Sequence, residues 1–122
     1  MKAVYERNPL LMGSNKFCPG CGHPLLNKII ADILAENNWA GDAITALCIG
    51  CALNMTPYVD WDLVQCPHGR AAAVATGIKH VQKSKLVFTY QGDGDAAGIG
   101  LTETFHAASR GEPFTQIMVN NQ

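Results

Sequence analysis

Two apolar, β-branched runs separated by one helix's length constrain this chain more than any other feature. Lys85 to Tyr90 (KLVFTY) and Thr115 to Val119 (TQIMV) read as strands. Between them, about Gly98 to Ser109 reads as a helix that stops at Arg110-Gly111, with Pro113 beyond. A strand–helix–strand unit of this length belongs in a parallel sheet, and a parallel sheet puts both strand ends on the same edge. Each strand delivers a short polar segment there: Gln91-Gly92-Asp93-Gly94-Asp95 after the first and Asn120-Asn121 after the second.

The rest of the chain continues the alternation. Residues 1–17 form an irregular lead-in punctuated by Pro9, Gly13, Ser14 and Asn15. Pro24 suits the first turn of a helix, and Leu25, Leu26, Ile29, Ile30, Ile33 and Leu34 follow at helical spacing as far as about Asn38. Ala43 to Cys48 reads as a buried strand, and Gly69 to Val81 as an alanine-rich helix suited to close packing. Residues 52–67 are ambiguous, with one helical turn and then a short strand near Leu63 to Gln65. The expected fold class is α/β: a parallel sheet covered by helices on both faces, built as one domain over residues 1–122. A formal net charge of -1 offers no electrostatic argument for nucleic acid or a membrane surface. No stretch approaches the roughly 20 apolar residues that span a bilayer. The N-terminus lacks the apolar core of a secretory signal, so the expected compartment is the cytoplasm. Because Gln122 directly follows Asn121 at a strand end, the chain reads as an N-terminal fragment with ligands further on.

A carboxylate at Asp93 and an amide oxygen at Asn121 on neighbouring strand ends can bind Mg²⁺, which in such sites usually carries phosphates. Glycines at 92 and 94 let the backbone approach those phosphates. The competing reading is a pair of turn-forming loops. An EF-hand fails because its twelfth position would be Thr104, where a bidentate Glu is required. No Gly-Lys-Ser/Thr follows the glycines, so a Walker loop is absent. Two Cys-x-x-Cys motifs, Cys18-Pro19-Gly20-Cys21 and Cys48-Ile49-Gly50-Cys51, suggest metal or redox chemistry in a reducing compartment. A four-cysteine zinc site on Cys18, Cys21, Cys48 and Cys51 competes, although the gap between the pairs exceeds the usual spacing of about 15–20 residues. His68-Gly69-Arg70 opens the alanine-rich helix, where a cation and the helix's positive end suit a diphosphate or a substrate carboxylate.

Four ordered segments carry a resemblance: Phe-Cys-Pro-Gly-Cys-Gly-His (17–23), Ile-Gly-Cys (49–51), His-Gly-Arg-Ala-Ala-Ala-Val-Ala-Thr-Gly-Ile-Lys (68–79) and Tyr-Gln-Gly-Asp-Gly-Asp (90–95), with Asn-Asn downstream as in the thiamine diphosphate signature. Together they resemble the beta subunit of 2-oxoacid:ferredoxin oxidoreductases, nearest the branch handling branched-chain 2-oxoacids. The resemblance implies a thiamine diphosphate-binding fold, with Ile49, Gly50, Cys51, Ala52, His68, Gly69, Arg70, Gly92, Gly94 and Asp95 at the coenzyme. It implies Mg²⁺ on Asp93 and Asn121, and a 4Fe–4S cluster on Cys18, Cys21, Cys51 and a fourth cysteine beyond Gln122. His68 and Arg70 are the catalytic candidates. The implied reaction is oxidative decarboxylation of a 2-oxoacid to acyl-CoA and CO₂, with electrons passed through the cluster to ferredoxin. The implied partners are an alpha subunit, with gamma or delta subunits where the complex has them. Cys48 and Cys66 read as small buried apolar residues, and Glu103 and His106 as structural or exposed. No cation follows Cys51 in Ala52-Leu53-Asn54-Met55, which favours an apolar-chain 2-oxoacid over a dicarboxylate. Two alternatives remain: a non-catalytic zinc module, and a non-oxidative thiamine decarboxylase or synthase, which leaves the cysteines idle.

Overall fold

The computed structural model describes residues 6–120. Its elements, in chain order, are α1 (His23–Glu36), β1 (Ala43–Leu47), β2 (Asp62–Gln65), α2 (Ala71–Val81), β3 (Leu86–Gly92), α3 (Leu101–Ser109) and β4 (Thr115–Val119). The four strands form one sheet in the order β2-β1-β3-β4, and every pairing is parallel. The central strands β1 and β3 are buried almost throughout, whereas β2 and β4 are largely exposed edges. Burial on both faces is why β1 and β3 read as continuous apolar runs rather than alternating ones.

Helices cover both faces, as expected. On one face α1 buries His23, Asn27, Ile30, Ala31 and Leu34, a stripe at helical spacing. Ile30 and Leu34 share a groove with Phe88 of β3 and Ile117 of β4. On the other face α2 lies against β1, β3 and α3. Ala71, Ala72 and Ala75 of α2 are at most 1% exposed, so side chains one carbon long bring that helix close to the sheet. Strand alternation decides which face each residue serves. Tyr90 reaches His23 of α1, while its neighbour Gln91 faces the α3 side, where Gln116 of β4 joins it to Thr104 of α3.

The ambiguous stretch resolves, as expected, into one helical turn, a 3₁₀ turn over Cys51–Met55, followed by β2. Two boundaries differ from expectation. Helix α2 begins at Ala71 rather than Gly69, because Gly69 sits at φ 78°, outside the helical region. The third helix is preceded by a wide π turn over Gly94–Ile99, so α3 starts at Leu101 and not at Gly98. The lead-in is irregular over residues 6–17 but not detached: Leu11 bridges Val59, and Asn8 donates to Asp32 of α1. Among the described residues no helix is long and apolar enough to cross a membrane.

Candidate functional site

Register sets the site. Leu47 of β1 stands beside Gln65 of β2 and Tyr90 of β3, and Gly92 of β3 beside Val119 of β4. The segments leaving the carboxyl ends of all four strands therefore share one rim: Cys48–Cys51, Cys66–His68, Asp93–Asp95 and Asn120. Such rims are where open α/β sheets bind ligands. Asp93 and Asn120 each follow directly on the Gly92–Val119 pair. Asn121, the expected second Mg²⁺ ligand, lies outside the described residues. Asp93 is partly exposed, and no hydrogen bond or ion pair engages its carboxylate among the described residues. A side chain on Gly50, Gly92 or Gly94 would meet nothing within 4 Å, so at these positions the absent side chain leaves open space instead of accommodating packing. Gly50 also sits at φ 121°, a conformation that L side chains rarely adopt, and there it turns the chain from β1 into the 3₁₀ turn.

Asp95 corrects one expectation. The resemblance sets Gly94-Asp95 at the diphosphate, but the Asp95 side chain is 2% exposed and turned into the protein, so only its backbone can make that contact. Oδ1 accepts the Gly69 N–H at 2.7 Å and stands 2.5 Å from His68 Nδ1, while Oδ2 accepts from Gln91 Nε2 at 2.5 Å. A buried carboxylate filled with donors has nothing left to offer a phosphate, and a second anion beside it is unfavourable. Its work is to tie the β2–α2 loop to the Gly-Asp-Gly turn. The tie is tight: Gly100 N–H donates to the Asp95 carbonyl at 2.8 Å, and a Cβ on Gly69 would stand 2.6 Å from Ile99 Cγ2.

Arg70 and Ala52 also differ. The Arg70 guanidinium ion-pairs with Glu103 of α3 rather than standing free for a phosphate, because α2 and α3 pack side by side. Glu103 is thus structural, as expected. Ala52 is 2% exposed, so its side chain packs inward and only its backbone can face a ligand. His68 remains at the rim, its side chain 41% exposed.

The cysteines divide by burial. Cys18 and Cys51 are exposed and Cys21 half-buried, whereas Cys48 and Cys66 are each 1% exposed. Burial, with some repulsion from Asp95, pushes both buried thiols up to about 11, so they stay protonated at neutral pH. A metal or cluster needs thiolates, so the three solvent-facing cysteines are the better donors. The Cys18–Cys21 loop is anchored beside the rim. Cys21 N–H closes a turn onto the Cys18 carbonyl, and the Phe17 ring stacks on His23 at 4.9 Å. His23 Nδ1 lies 2.6 Å from the Tyr90 hydroxyl, which Cys21 and Cys48 approach closely enough to disfavour its ionisation further. Among the described residues no three His, Cys, Asp or Glu side chains converge on a point that would hold a metal ion. This holds for the four-cysteine zinc set and for the Cys18, Cys21 and Cys51 set alike. Alkylation of the metal-free chain near pH 8 should label Cys18, Cys21 and Cys51 and spare Cys48 and Cys66, whose labelling should rise as pH approaches 11 or on unfolding. Equal labelling of all five at pH 8 would contradict this partition.

Sequence reasoning missed the supporting residues His23, Tyr90, Gln91, Gln116 and Thr104. Two signals were available: His23 ends the Cys-Pro-Gly-Cys-Gly-His segment, and Gln91 is a polar residue closing an otherwise apolar strand.

A parallel sheet covered by helices on both faces, whose strand-end rim carries open glycines and a carboxylate without a partner among the described residues, is an α/β domain of the kind that binds ligands at that edge. The chain belongs to the thiamine pyrophosphate enzyme family: residues 47–122 match the C-terminal TPP binding domain. It is similar to the ketoisovalerate oxidoreductase subunit VorA of Methanothermobacter thermautotrophicus, with 45% identity over 105 residues, 86% of this chain and 22% of that protein. It is also similar to the 2-oxoglutarate synthase subunit KorB of Methanocaldococcus jannaschii, at 36% identity over 86% of this chain and 39% of the relative. Among solved structures, the 2-oxoglutarate:ferredoxin oxidoreductase from Magnetococcus marinus with 2-oxoglutarate, coenzyme A and succinyl-CoA bound superposes with a TM-score of 0.87 and 28% identity. That match covers 97% of this chain and 41% of the other. The chain thus spans well under half the length of these relatives.

Proposed function

We propose that this chain belongs to the thiamine diphosphate-binding beta subunit of a 2-oxoacid:ferredoxin oxidoreductase. The observation that carries the reading is the Asp93 carboxylate, without a partner among the described residues, at a strand end adjacent to that of β4 and flanked by glycines that leave space open. This donor set suits a hard cation carrying a diphosphate. Asp93 and Asn121 would hold Mg²⁺, and the cation offsets charge that Asp93 and Asp95 would otherwise repel. Gly50, Gly92 and Gly94 keep the rim open to the coenzyme, and His68 stands at its edge. When bound, thiamine diphosphate supplies the nucleophile and electron sink for decarboxylation of a 2-oxoacid.

Cys18, Cys21 and Cys51 would hold a 4Fe–4S cluster with a fourth cysteine further along the chain, carrying electrons singly to ferredoxin while the acyl group goes to coenzyme A. The buried, protonated state of Cys48 favours this set over the zinc set. The proposed partners are an alpha subunit, gamma or delta subunits where present, and ferredoxin, in the cytoplasm. The segment after Cys51 brings no cation, which favours a branched-chain 2-oxoacid over a dicarboxylate. Two measurements on the intact, anaerobically prepared complex test the reading. Metal analysis should give about four iron and about four sulfide per chain. One zinc with no sulfide would instead favour the zinc module. Steady-state assays with coenzyme A and ferredoxin should show a higher kcat/KM for 2-ketoisovalerate than for 2-oxoglutarate, and the reverse order would remove the substrate assignment.

A further inference from the structure

Apart from His68, whose role depends on its tautomer, every described partner of the Asp95 carboxylate is a donor. Gly69 N–H reaches Oδ1, and Gln91 Nε2 reaches Oδ2. The orientation of Gln91 is itself set, because Gln116 Nε2 donates to Gln91 Oε1 at 3.0 Å and to Thr104 Oγ1 at 2.8 Å. A chain of donors running from Gln116 of β4 through Gln91 thus terminates on Asp95. An ionised carboxylate only accepts, so the ring atom facing it, His68 Nδ1, must carry a hydrogen. That leaves Nε2 without a hydrogen in the neutral ring. Nε2 has no protein partner among the described residues, and the side chain is 41% exposed at the rim. The backbone beneath cannot drift. Gly69 sits at φ 78° with Gly100 N 2.9 Å from where its Cβ would be, and Asp95 follows Asp93 by two residues in the same turn.

We propose that Asp95 is a positioning residue for this rim: it holds His68 as the Nδ1–H tautomer and turns Nε2 outward as a hydrogen-bond acceptor for a donor group of the bound coenzyme. The proposal rests on the thiamine diphosphate reading for its ligand but not for its geometry. The role is that of a supporting carboxylate behind a histidine, which fixes tautomer and ring orientation without touching the ligand.

Two measurements decide it. In the coenzyme-free chain labelled with ¹⁵N-histidine, long-range ¹⁵N–¹H correlations should show His68 as the Nδ1–H tautomer, shifting toward Nε2–H in Asp95→Asn. A wild-type His68 found as Nε2–H overturns the proposal, whether or not any variant folds. In the intact complex at saturating thiamine diphosphate and Mg²⁺, Asp95→Asn should lower kcat by roughly 10–100-fold, the usual range for such supporting residues. The KM for the 2-oxoacid should stay within about twofold. The double variant Asp95→Asn/His68→Gln should lose no more than His68→Gln alone, because both substitutions remove one function. Losses that add overturn it, since a scaffold residue acting independently of His68 would behave that way. Failure of the coenzyme reading looks different: the wild-type complex would show no saturable thiamine diphosphate binding, while the His68 tautomer stayed as stated.

Discussion

Asp93→Ala should weaken Mg²⁺-dependent thiamine diphosphate binding by at least about 100-fold while leaving the fold intact. The two halves of this expectation come from the same observation. Asp93 is half-buried with no partner among the described residues, so its removal orphans nothing, and the cost to folding stays within about 0.5 kcal/mol. The proposed cation, however, loses its charged ligand, and a neutral amide on Asn121 cannot replace it. Residues that merely support a metal ligand typically cost 10–100-fold, and a direct carboxylate ligand should exceed that range. Asp93→Asn, which keeps an oxygen and loses the charge, should fall between. Calorimetric titration with thiamine diphosphate at saturating Mg²⁺, paired with thermal unfolding, checks both halves. Unchanged affinity in Asp93→Ala would remove the metal assignment.

Gly100→Ala should have the opposite signature, a large loss of stability. A Cβ at position 100 would stand 2.6 Å from the Gly69 carbonyl oxygen and 2.9 Å from Gly69 Cα, and would collide with the Asp95 carbonyl oxygen as well. These are backbone atoms of two loops that hold each other, so no side chain can swing aside. Overpacking costs typically about 1–3 kcal/mol, and rigid surroundings put this site near 3. That is a large fraction of the roughly 5–15 kcal/mol that holds a domain together. Because the loops that must separate carry His68 and Asp93, any residual coenzyme binding should weaken too. Denaturant unfolding of Gly100→Ala beside Gly98→Ala is the check: a side chain at Gly98 meets nothing within 4 Å and should cost far less. Equal stability of the two variants would mean that the loops are not in contact as described.

The architecture was legible in the sequence because its signals are local. β-Branched apolar runs at 86–90 and 115–119 and the helical spacing from Leu26 to Leu34 each act within a few residues. Parallel pairing then follows from the strand–helix–strand length alone. The rim was legible for the same reason: once strands are parallel, whatever follows their carboxyl ends must share an edge. Asp93 was read from this logic, and it follows directly on β3 with no partner for its carboxylate among the described residues. Asp95, two residues on and of the same type, could not be told from it. The difference is that a π turn rather than an α-helix follows β3, and this turn carries Asp95 inward.

The succession of strands and helices, the shared edge and the segments that reach it were thus determined by the sequence itself, through apolar runs and a 3.6-residue spacing. Only the tertiary structure decided which of those residues face outward. The deciding contacts join His68 to Asp95, Arg70 to Glu103 and His23 to Tyr90, partners 27, 33 and 67 positions apart. Such contacts depend on how closely two loops or helices approach, and at Gly69 and Gly100 that distance is set by the absence of a single carbon atom.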